Sequence, residues 1–245
     1  MASDDKQLRF EPCAKRVRAI SQNATIVDSL RSVVVAGPGY LPVYYFPPAD
    51  VRTDFLAAGN RRTQHPSLGE ATHWNLALAG NRIENAAWSY PDPPPAAERI
   101  KGLIAFERQK IDHWFEEDEE VFGHPRDPRH RVDVRRSSRG VRAVFAGETI
   151  AFSQRAMFLF ETGHPTRFYI PPEDVRLDML LPSERRTTCP YKGHASYWSL
   201  KLGGRIAEDA VWSYLDPLPD CPQIKGHFCF YPEKLDSLEV EGETL

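Results

Sequence analysis

Three residues that could support nucleophilic or acid–base chemistry fall within one six-residue stretch, and they are Cys189, Lys192 and His194. A nearby ammonium or imidazolium favours the thiolate form of a cysteine, which is the nucleophilic form. Pro190 disfavours helical backbone at Cys189, so activation by a helix N-terminus is not expected. The alternative is a turn in which the cysteine packs inward, Gly193 supplies an unusual backbone angle, and the lysine and histidine are solvated.

Aromatic residues accompany this stretch in pairs that suit strands. Tyr197 and Trp198 must project from opposite faces of a strand, so one can enter a core while the other lines a cleft. Aromatic faces suit flat heterocycles or cations, although ordinary core packing is the alternative. The predicted ligand-binding residues of this region are Glu161, Tyr169, Tyr191, Trp198 and Tyr214, with Cys189, Lys192 and His194 as tentative catalytic residues.

The elements that must position these side chains occur twice in the chain. The segment Tyr45-Phe46-Pro47-Pro48-Ala49-Asp50-Val51-Arg52 returns, 124 positions later, as Tyr169-Ile170-Pro171-Pro172-Glu173-Asp174-Val175-Arg176. Trp88-Ser89-Tyr90 returns at the same spacing as Trp212-Ser213-Tyr214. Matches at a constant spacing, with no gap, indicate an internal duplication.

Each copy has the pattern of short antiparallel strands. Aromatic and β-branched runs alternate with Gly and Pro clusters, and Ala146-Gly147-Glu148 is a hairpin signal between two such runs. The only helical hint of note is a short turn after Pro172. We therefore predict an all-β protein with this organisation: an N-terminal extension at 1–16, a first domain at 17–112, a charged linker at 113–140, a second domain at 141–236 and a tail at 237–245.

The segment between the copies is strongly charged. Acidic residues from Glu116 to Glu120 precede an arginine-rich, proline-punctuated stretch. Charge runs are usually solvated, so a linker is favoured. Two alternatives are a metal site formed by Glu116, Glu119 and His124, and a surface that binds a partner protein.

Composition excludes several classes of protein. A net charge of −3 lacks the basic excess of a nucleic-acid binder, and no run approaches the roughly 18–20 apolar residues that span a membrane. The N-terminus lacks the charged and apolar regions of a signal peptide. The four cysteines form no CxxC pair, so neither a structural zinc site nor a disulfide framework is expected. These features predict a cytoplasmic protein with no metal and no cofactor. For a chain with two tandem domains we also expect a monomer or weak homodimer.

Several short sequence motifs also occur together in this chain. They are Glu161, Tyr169-Ile170-Pro171, Asp174-Val175, Cys189-Pro190-Tyr191-Lys192-Gly193, Tyr197-Trp198, Trp212-Ser213-Tyr214 and Ile224-Lys225-Gly226, with Trp114-Phe115-Glu116-Glu117-Asp118-Glu119 and His124-Pro125-Arg126-Asp127-Pro128 between the copies. In these motifs the chain resembles the tandem form of the family named domain of unknown function 427 (DUF427). The resemblance implies two β-tent (Mss4-like) domains, each with two small antiparallel sheets pinned at one edge, in a branch without zinc.

The two copies differ at the residues that could do chemistry. The first copy has Gly37, His65, Leu68 and Glu70 where the second has Glu161, Cys189, Lys192 and His194, whereas the second has Phe152 where the first has Asp28. We therefore predict that the main site lies in the second domain and that the domains pack on each other. The first domain is then either largely structural or contributes Asp28 and Arg31 to the site. The favoured function is small-molecule binding or processing in an aromatic-lined pocket, and the alternatives are an enzyme using Cys189 as nucleophile or Lys192 and His194 as acid and base, or a protein-interaction module.

Overall fold

A computed structural model describes residues 7–245, and strands dominate them, which confirms the all-β prediction. The chain divides into two compact units between Asp127 and Pro128, as expected for a tandem duplication. No helix within residues 7–245 is long and apolar enough to cross a lipid bilayer.

The first unit forms two antiparallel sheets within its described residues. The larger has the order β1-β4-β5-β9-β8-β7-β6, and the smaller has the order β11-β10-β2-β3, where the strands are β1 (Arg9–Pro12), β2 (Val17–Ser21), β3 (Ala24–Ser29), β4 (Val33–Gly37), β5 (Tyr40–Phe46), β6 (Leu56–His65), β7 (Gly69–Leu78), β8 (Asn81–Ser89), β9 (Ile104–Phe106), β10 (His113–Glu116) and β11 (Glu119–Glu120). Short 3-10 helices occupy Pro48–Asp50, Thr53–Phe55, Pro95–Ile100 and Arg108–Lys110.

The second unit repeats this arrangement. Its sheets have the orders β12-β15-β16, β17-β18-β19-β20 and β14-β13-β21-β22, where the strands are β12 (Val132–Arg136), β13 (Val141–Phe145), β14 (Glu148–Ser153), β15 (Met157–Glu161), β16 (Arg167–Tyr169), β17 (Leu180–Cys189), β18 (Gly193–Leu202), β19 (Arg205–Tyr214), β20 (Phe228–Phe230), β21 (Ser237–Val240) and β22 (Glu243–Thr244). The 3-10 helices are Pro172–Asp174, Leu177–Met179, Pro222–Ile224 and Pro232–Lys234.

Two of the sheets in the second unit join into one. Ile170, directly after β16, and Phe228 of β20 exchange two backbone hydrogen bonds of 2.8 Å. The joined order β12-β15-β16-β20-β19-β18-β17 is the counterpart of the larger sheet of the first unit, strand for strand.

The repeating unit is longer than the sequence comparison suggests. Strand β10, expected in the linker, pairs with β2, and β21, expected in the tail, pairs with β13. Each therefore completes the smaller sheet of its own unit, while β12 adds to the edge of the larger sheet. These flanking strands are short and expose charged residues, so they lack the long alternating pattern by which sequence identifies a strand.

The larger sheet of the second unit carries hydrophobic clusters on both faces. Successive residues of one strand go to different clusters: Ile170 and Val211 pack in one, whereas Tyr169 and Trp212 pack in the other. The first cluster includes residues of β13, β14 and β21, so it fills the space between the two sheets. We call the second one, on the opposite face, the outer cluster; its buried members are Val134, Leu159, Tyr169, Ala195, Tyr197, Trp212, Tyr214, Cys221, Ile224 and Cys229.

Candidate functional site

A buried ion pair lies beside the outer cluster of the second unit. The Lys192 ammonium donates a hydrogen bond to Oε2 of Glu161, and the two side chains are only 10% and 9% exposed. Nε2 of His130 lies 3.1 Å from the other carboxylate oxygen, Oε1. The carboxylate of Glu161 thus joins a lysine and a histidine that are distant from it in sequence.

The turn between β17 and β18 sets the position of Lys192. Cys189 pairs with Gly193 across the turn, and the Lys192 amide donates to the Cys189 carbonyl at 3.3 Å. A residue outside the turn also holds it in place, because the Leu218 amide donates a hydrogen bond to the Lys192 carbonyl at 3.1 Å. Gly193 has φ +100°, a conformation that side chains with a Cβ rarely adopt.

Strand pairing brings His130 to Glu161. Val132 lies opposite Glu161 in the β12–β15 ladder, so His130 is just beyond the end of the pairing. The Arg131 amide donates to Thr162 Oγ1 at 2.9 Å, and the Thr162 amide donates to the Arg131 carbonyl at 3.0 Å. His130 was not identified from the sequence, because this residue lies in the predicted linker and no motif around it is repeated in the first copy.

The rings near the ion pair are ordered by stacking. Tyr191 stacks on His130 with 4.2 Å between ring centroids and 25° between planes. His164 follows β15 in a turn closed by its own amide, which donates to the Glu161 carbonyl at 3.1 Å. Its side chain is exposed, whereas that of Tyr191 is buried.

The Glu161 carboxylate is held in its ionised form. Burial by itself raises the pKa of this group, but the hydrogen bond and charge of Lys192, helped by the hydrogen bond to His130, outweigh burial. The pKa of Glu161 is therefore lower than its ordinary value of 4.5. A full negative charge faces Lys192 and His130 at neutral pH.

The other residues proposed for the second-domain site fall into two groups. Tyr169 and Tyr214 are buried in the outer cluster, with half-exposed Cys189 packed against it, and burial raises the pKa of both tyrosines. Trp198 projects from the opposite face of β18 and packs on Phe228, with 5.1 Å between ring centroids.

His194 projects from the same face of β18 as Trp198, away from the outer cluster. It is exposed, and its Nδ1 lies 3.0 Å from the Thr188 hydroxyl. The structure therefore groups Glu161, Tyr191 and Lys192 with His130, and it puts His194 on the other side of the strand.

The two residues proposed from the first domain make ion pairs within their own unit. Asp28 accepts hydrogen bonds of 2.7 and 2.5 Å from Arg16. Arg31 donates to Asp50, and this pair is repeated in the second unit by Arg155 and Asp174 at 2.9–3.0 Å. Asp174, the last residue of the short 3-10 helix Pro172–Asp174, is therefore the carboxylate partner of an arginine.

We expect the repeated Arg–Asp pair to give a small, pH-dependent stabilisation. Arginine hydrogen bonds hold the pKa of both Asp50 and Asp174 below the ordinary 3.8. Because the folded pKa is lowered, the stabilisation is present above pH 3.8 and is lost as the pH falls through the folded pKa. Asp174→Asn should cost up to about 1 kcal/mol at pH 7, and urea unfolding should show this difference shrinking in acid. A cost that is constant or grows below pH 3.8 would contradict the assignment.

The first unit has an apolar counterpart of the buried ion pair. Leu68, which stands where the second copy has Lys192, is fully buried. Gly37 stands where the second copy has Glu161, and a Cβ built on it would lie 2.9 Å from the Leu8 side chain. Leu8 and Leu68 thus occupy this region in the first unit, and the same fold forms without the two charges.

One group of side chains has the composition of a metal site. Among residues 7–245, ligand atoms of His130, Glu161 and His164 lie within 4.8 Å of one another. The set first considered, Glu116, Glu119 and His124, does not form such a group within that range. Glu116 instead accepts a 2.6 Å hydrogen bond from the Tyr44 hydroxyl in the first unit.

An open groove of ≈ 730 Å³ lies in the first unit, where the sequence analysis proposed no site. Its walls are formed mainly by prolines and two acidic residues, namely Gln64, Pro66, Gly69, Asp92, Pro93, Pro94, Pro95 and Glu98. Lys101 lies 3.9 Å from Asp92 and 3.5 Å from Glu98, so its charge offsets those of the acidic wall.

Comparison with known proteins agrees with the duplicated architecture. The family described as domain of unknown function (DUF427) matches the chain twice, over residues 9–117 and 133–241. The first match includes β1 and β10, and the second includes β21 and all of β12 except its first residue. No curated protein matches the chain. The chain belongs to the DUF427 family, as a tandem member with two copies of the domain.

Proposed function

We propose that the second domain binds a small molecule through a polar group that contacts Lys192, Glu161 and His130. The observation that carries this proposal is the buried Lys192–Glu161 ion pair, which the first domain lacks. A pocket for a small molecule combines mainly apolar walls with a few placed polar groups. Tyr191 and the outer cluster supply the apolar surface beside these three residues.

The energetic cost of the ion pair favours a functional role. Removing two charges from water costs several kcal/mol, and replacing a buried pair by apolar residues is often neutral or stabilising. The first domain is such a replacement, because Leu68 is fully buried there and Gly37 carries no side chain. Since the fold forms either way, the charges of the second domain are better explained by what they bind.

The ion pair is also within reach of a ligand. His164 is exposed, and the side chain of His130 is 16% exposed, so the group lies near the surface of the unit. An ammonium has three N–H donors, and Glu161 takes one of those on Lys192. A carboxylate or phosphate oxygen of the ligand is the acceptor best suited to Lys192.

Binding can be tested on the whole chain. Native mass spectrometry of freshly purified protein would search for a retained molecule, and a thermal-shift screen of carboxylates and phosphorylated metabolites would follow. A ligand at 100 times its dissociation constant adds about 2.7 kcal/mol of stability, which a melting curve detects readily. We expect the double variant Glu161→Gln/Lys192→Met, which keeps no unpaired charge, to bind at least tenfold more weakly.

The matched control is Lys201→Met, which removes an exposed lysine from the same strand, β18. It should bind as the unaltered protein does. Equal affinity of the double variant and the control would argue against the proposal, as would a screen with no retained molecule and no shift.

The enzyme alternative and the interaction-module alternative stay predictions. The exposed His194 has its Nδ1 3.0 Å from the Thr188 hydroxyl, and the acidic residues of β10 and β11 belong to a sheet of the first unit. We also infer a β-tent (Mss4-like) architecture for each unit, and we propose a cytoplasmic location and a monomer or weak homodimer.

A further inference from the structure

We propose that His130, Glu161 and His164 bind one divalent transition-metal ion in the second unit. The metal would hold the anionic group of the small molecule, and in that respect the inference rests on the proposed function. Metal binding itself needs no small molecule, so the two proposals can fail separately.

The donor atoms are already close to a metal-binding arrangement. Nε2 of His130 and Oε1 of Glu161 are 3.1 Å apart. Two ligand atoms around a tetrahedral ion with bonds of about 2.0–2.2 Å are separated by about 3.3–3.6 Å. Ligand atoms of His130, Glu161 and His164 lie within 4.8 Å of one another, and a small movement of the exposed turn that carries His164 would close the remaining gap.

Each of the three ligands also has an outer partner that orients it. Nδ1 of His164 lies 3.0 Å from the Thr162 carbonyl, which can only accept, so Nδ1 carries the proton and Nε2 keeps its lone pair. The His130 ring stacks on Tyr191. Oε2 of Glu161 accepts from Lys192, while Oε1 faces Nε2 of His130, so an ion bound between Oε1 and Nε2 would replace the hydrogen that these two atoms now share. Hydrogen-bonded outer partners such as those of His164 and Glu161 are typical of metal-binding histidines and carboxylates.

The ligand types select the class of metal. Two imidazoles and one carboxylate suit Zn²⁺, Co²⁺, Ni²⁺ or Fe²⁺, whereas Mg²⁺ and Ca²⁺ prefer oxygen ligands alone. Three protein ligands leave at least one coordination position open, as in catalytic zinc sites. The charges of Glu161 and Lys192 cancel, so a divalent ion with neutral histidines leaves a net +2. That excess favours an anionic oxygen at the open position, next to the Lys192 ammonium.

The absence of CxxC pairs, on which the sequence prediction of no metal rested, does not bear on this set. CxxC spacing identifies thiolate sites whose ligands come from tight turns. Here the ligands come from the segment before β12, the end of β15 and the following turn. Only the pairing of β12 with β15 brings them together.

The test uses chelator-treated, full-length protein without any added small molecule. The protein is titrated with Zn²⁺ by calorimetry and with Co²⁺ by visible absorption. We expect one ion per chain at this site and at least a tenfold loss of affinity in both His130→Ala and His164→Ala. His194→Ala and His113→Ala are the controls, since these histidines lie outside the group, and they should keep the affinity. Because His164 is exposed, its variant should remain folded, which circular dichroism would check.

Unchanged affinity in both test variants, or no binding of either ion, would overturn the metal proposal. Small-molecule binding that still depends on Lys192 would survive that result. Metal binding by all three residues with no small-molecule binding would instead sustain the metal proposal and count against the proposed function.

Discussion

Lys192→Met is expected to destabilise the second unit by about 3–5 kcal/mol, because it leaves a buried carboxylate without its main partner. Glu161 is only 9% exposed, and its lowered pKa depends on the Lys192 charge and hydrogen bond. Glu161→Gln should also be destabilising, because it leaves the ammonium unpaired. Urea unfolding followed by hydrogen exchange, with peptides from each unit resolved by mass spectrometry, measures the effect on the second unit alone.

The double variant Glu161→Gln/Lys192→Met is the decisive comparison. Removing both charges avoids the cost of an unpaired one, so the double variant should lie within about 1 kcal/mol of the original stability or above it. The coupling energy between the two positions should then exceed about 2 kcal/mol, as expected for residues in direct contact. If each single variant lowered the free energy of unfolding by less than about 1 kcal/mol, the ion pair would be solvated by water, and the prediction would be wrong.

Gly193→Val is expected to cost the second unit about 2–3 kcal/mol and to weaken small-molecule binding. The residue has φ +100°, where a β-branched side chain is strained, and a Cβ there would lie 3.4 Å from the Asp216 carbonyl oxygen. The turn it closes also positions the Lys192 backbone. Unfolding measured as above, together with the thermal-shift response to ligand, would report both effects.

Two other glycines serve as controls for Gly193→Val. Gly204→Val has a similar backbone strain at φ +81°, but its Cβ would meet no atom within 4 Å. It should therefore cost less, and it should leave ligand binding unchanged. Gly69→Val, at the equivalent turn of the first unit with φ +89°, should destabilise that unit and leave the second intact. Equal effects of Gly193→Val and Gly204→Val on ligand binding would contradict the role assigned to the turn.

The sequence was sufficient for the fold class and the duplication. Alternation of aromatic and β-branched residues, broken by Gly and Pro, marks strands locally. Repeated motifs such as Trp88-Ser89-Tyr90 and Trp212-Ser213-Tyr214 identify the two copies without any structural information. Comparison of the copies also singled out Glu161 and Lys192, since the first domain has Gly37 and Leu68 there.

The sequence was insufficient for the edges of the domains and for the grouping of the site residues. Strands β1, β10, β12 and β21 are short and charged, and each becomes recognisable only by its pairing partner. Proximity in sequence grouped His194 with Lys192, yet strand alternation sends the exposed His194 and the half-buried Trp198 away from the outer cluster.

Sequence alone therefore determined which residues of the second copy are chemically distinctive, because that property is local and a duplicated chain contains its own reference. Tertiary structure decided which of them meet. Glu161 contacts a lysine 31 positions after it and a histidine 31 positions before it. Contacts over that separation depend on the register of antiparallel strands and on the turns that end them, and neither is encoded in the spacing of the residues themselves.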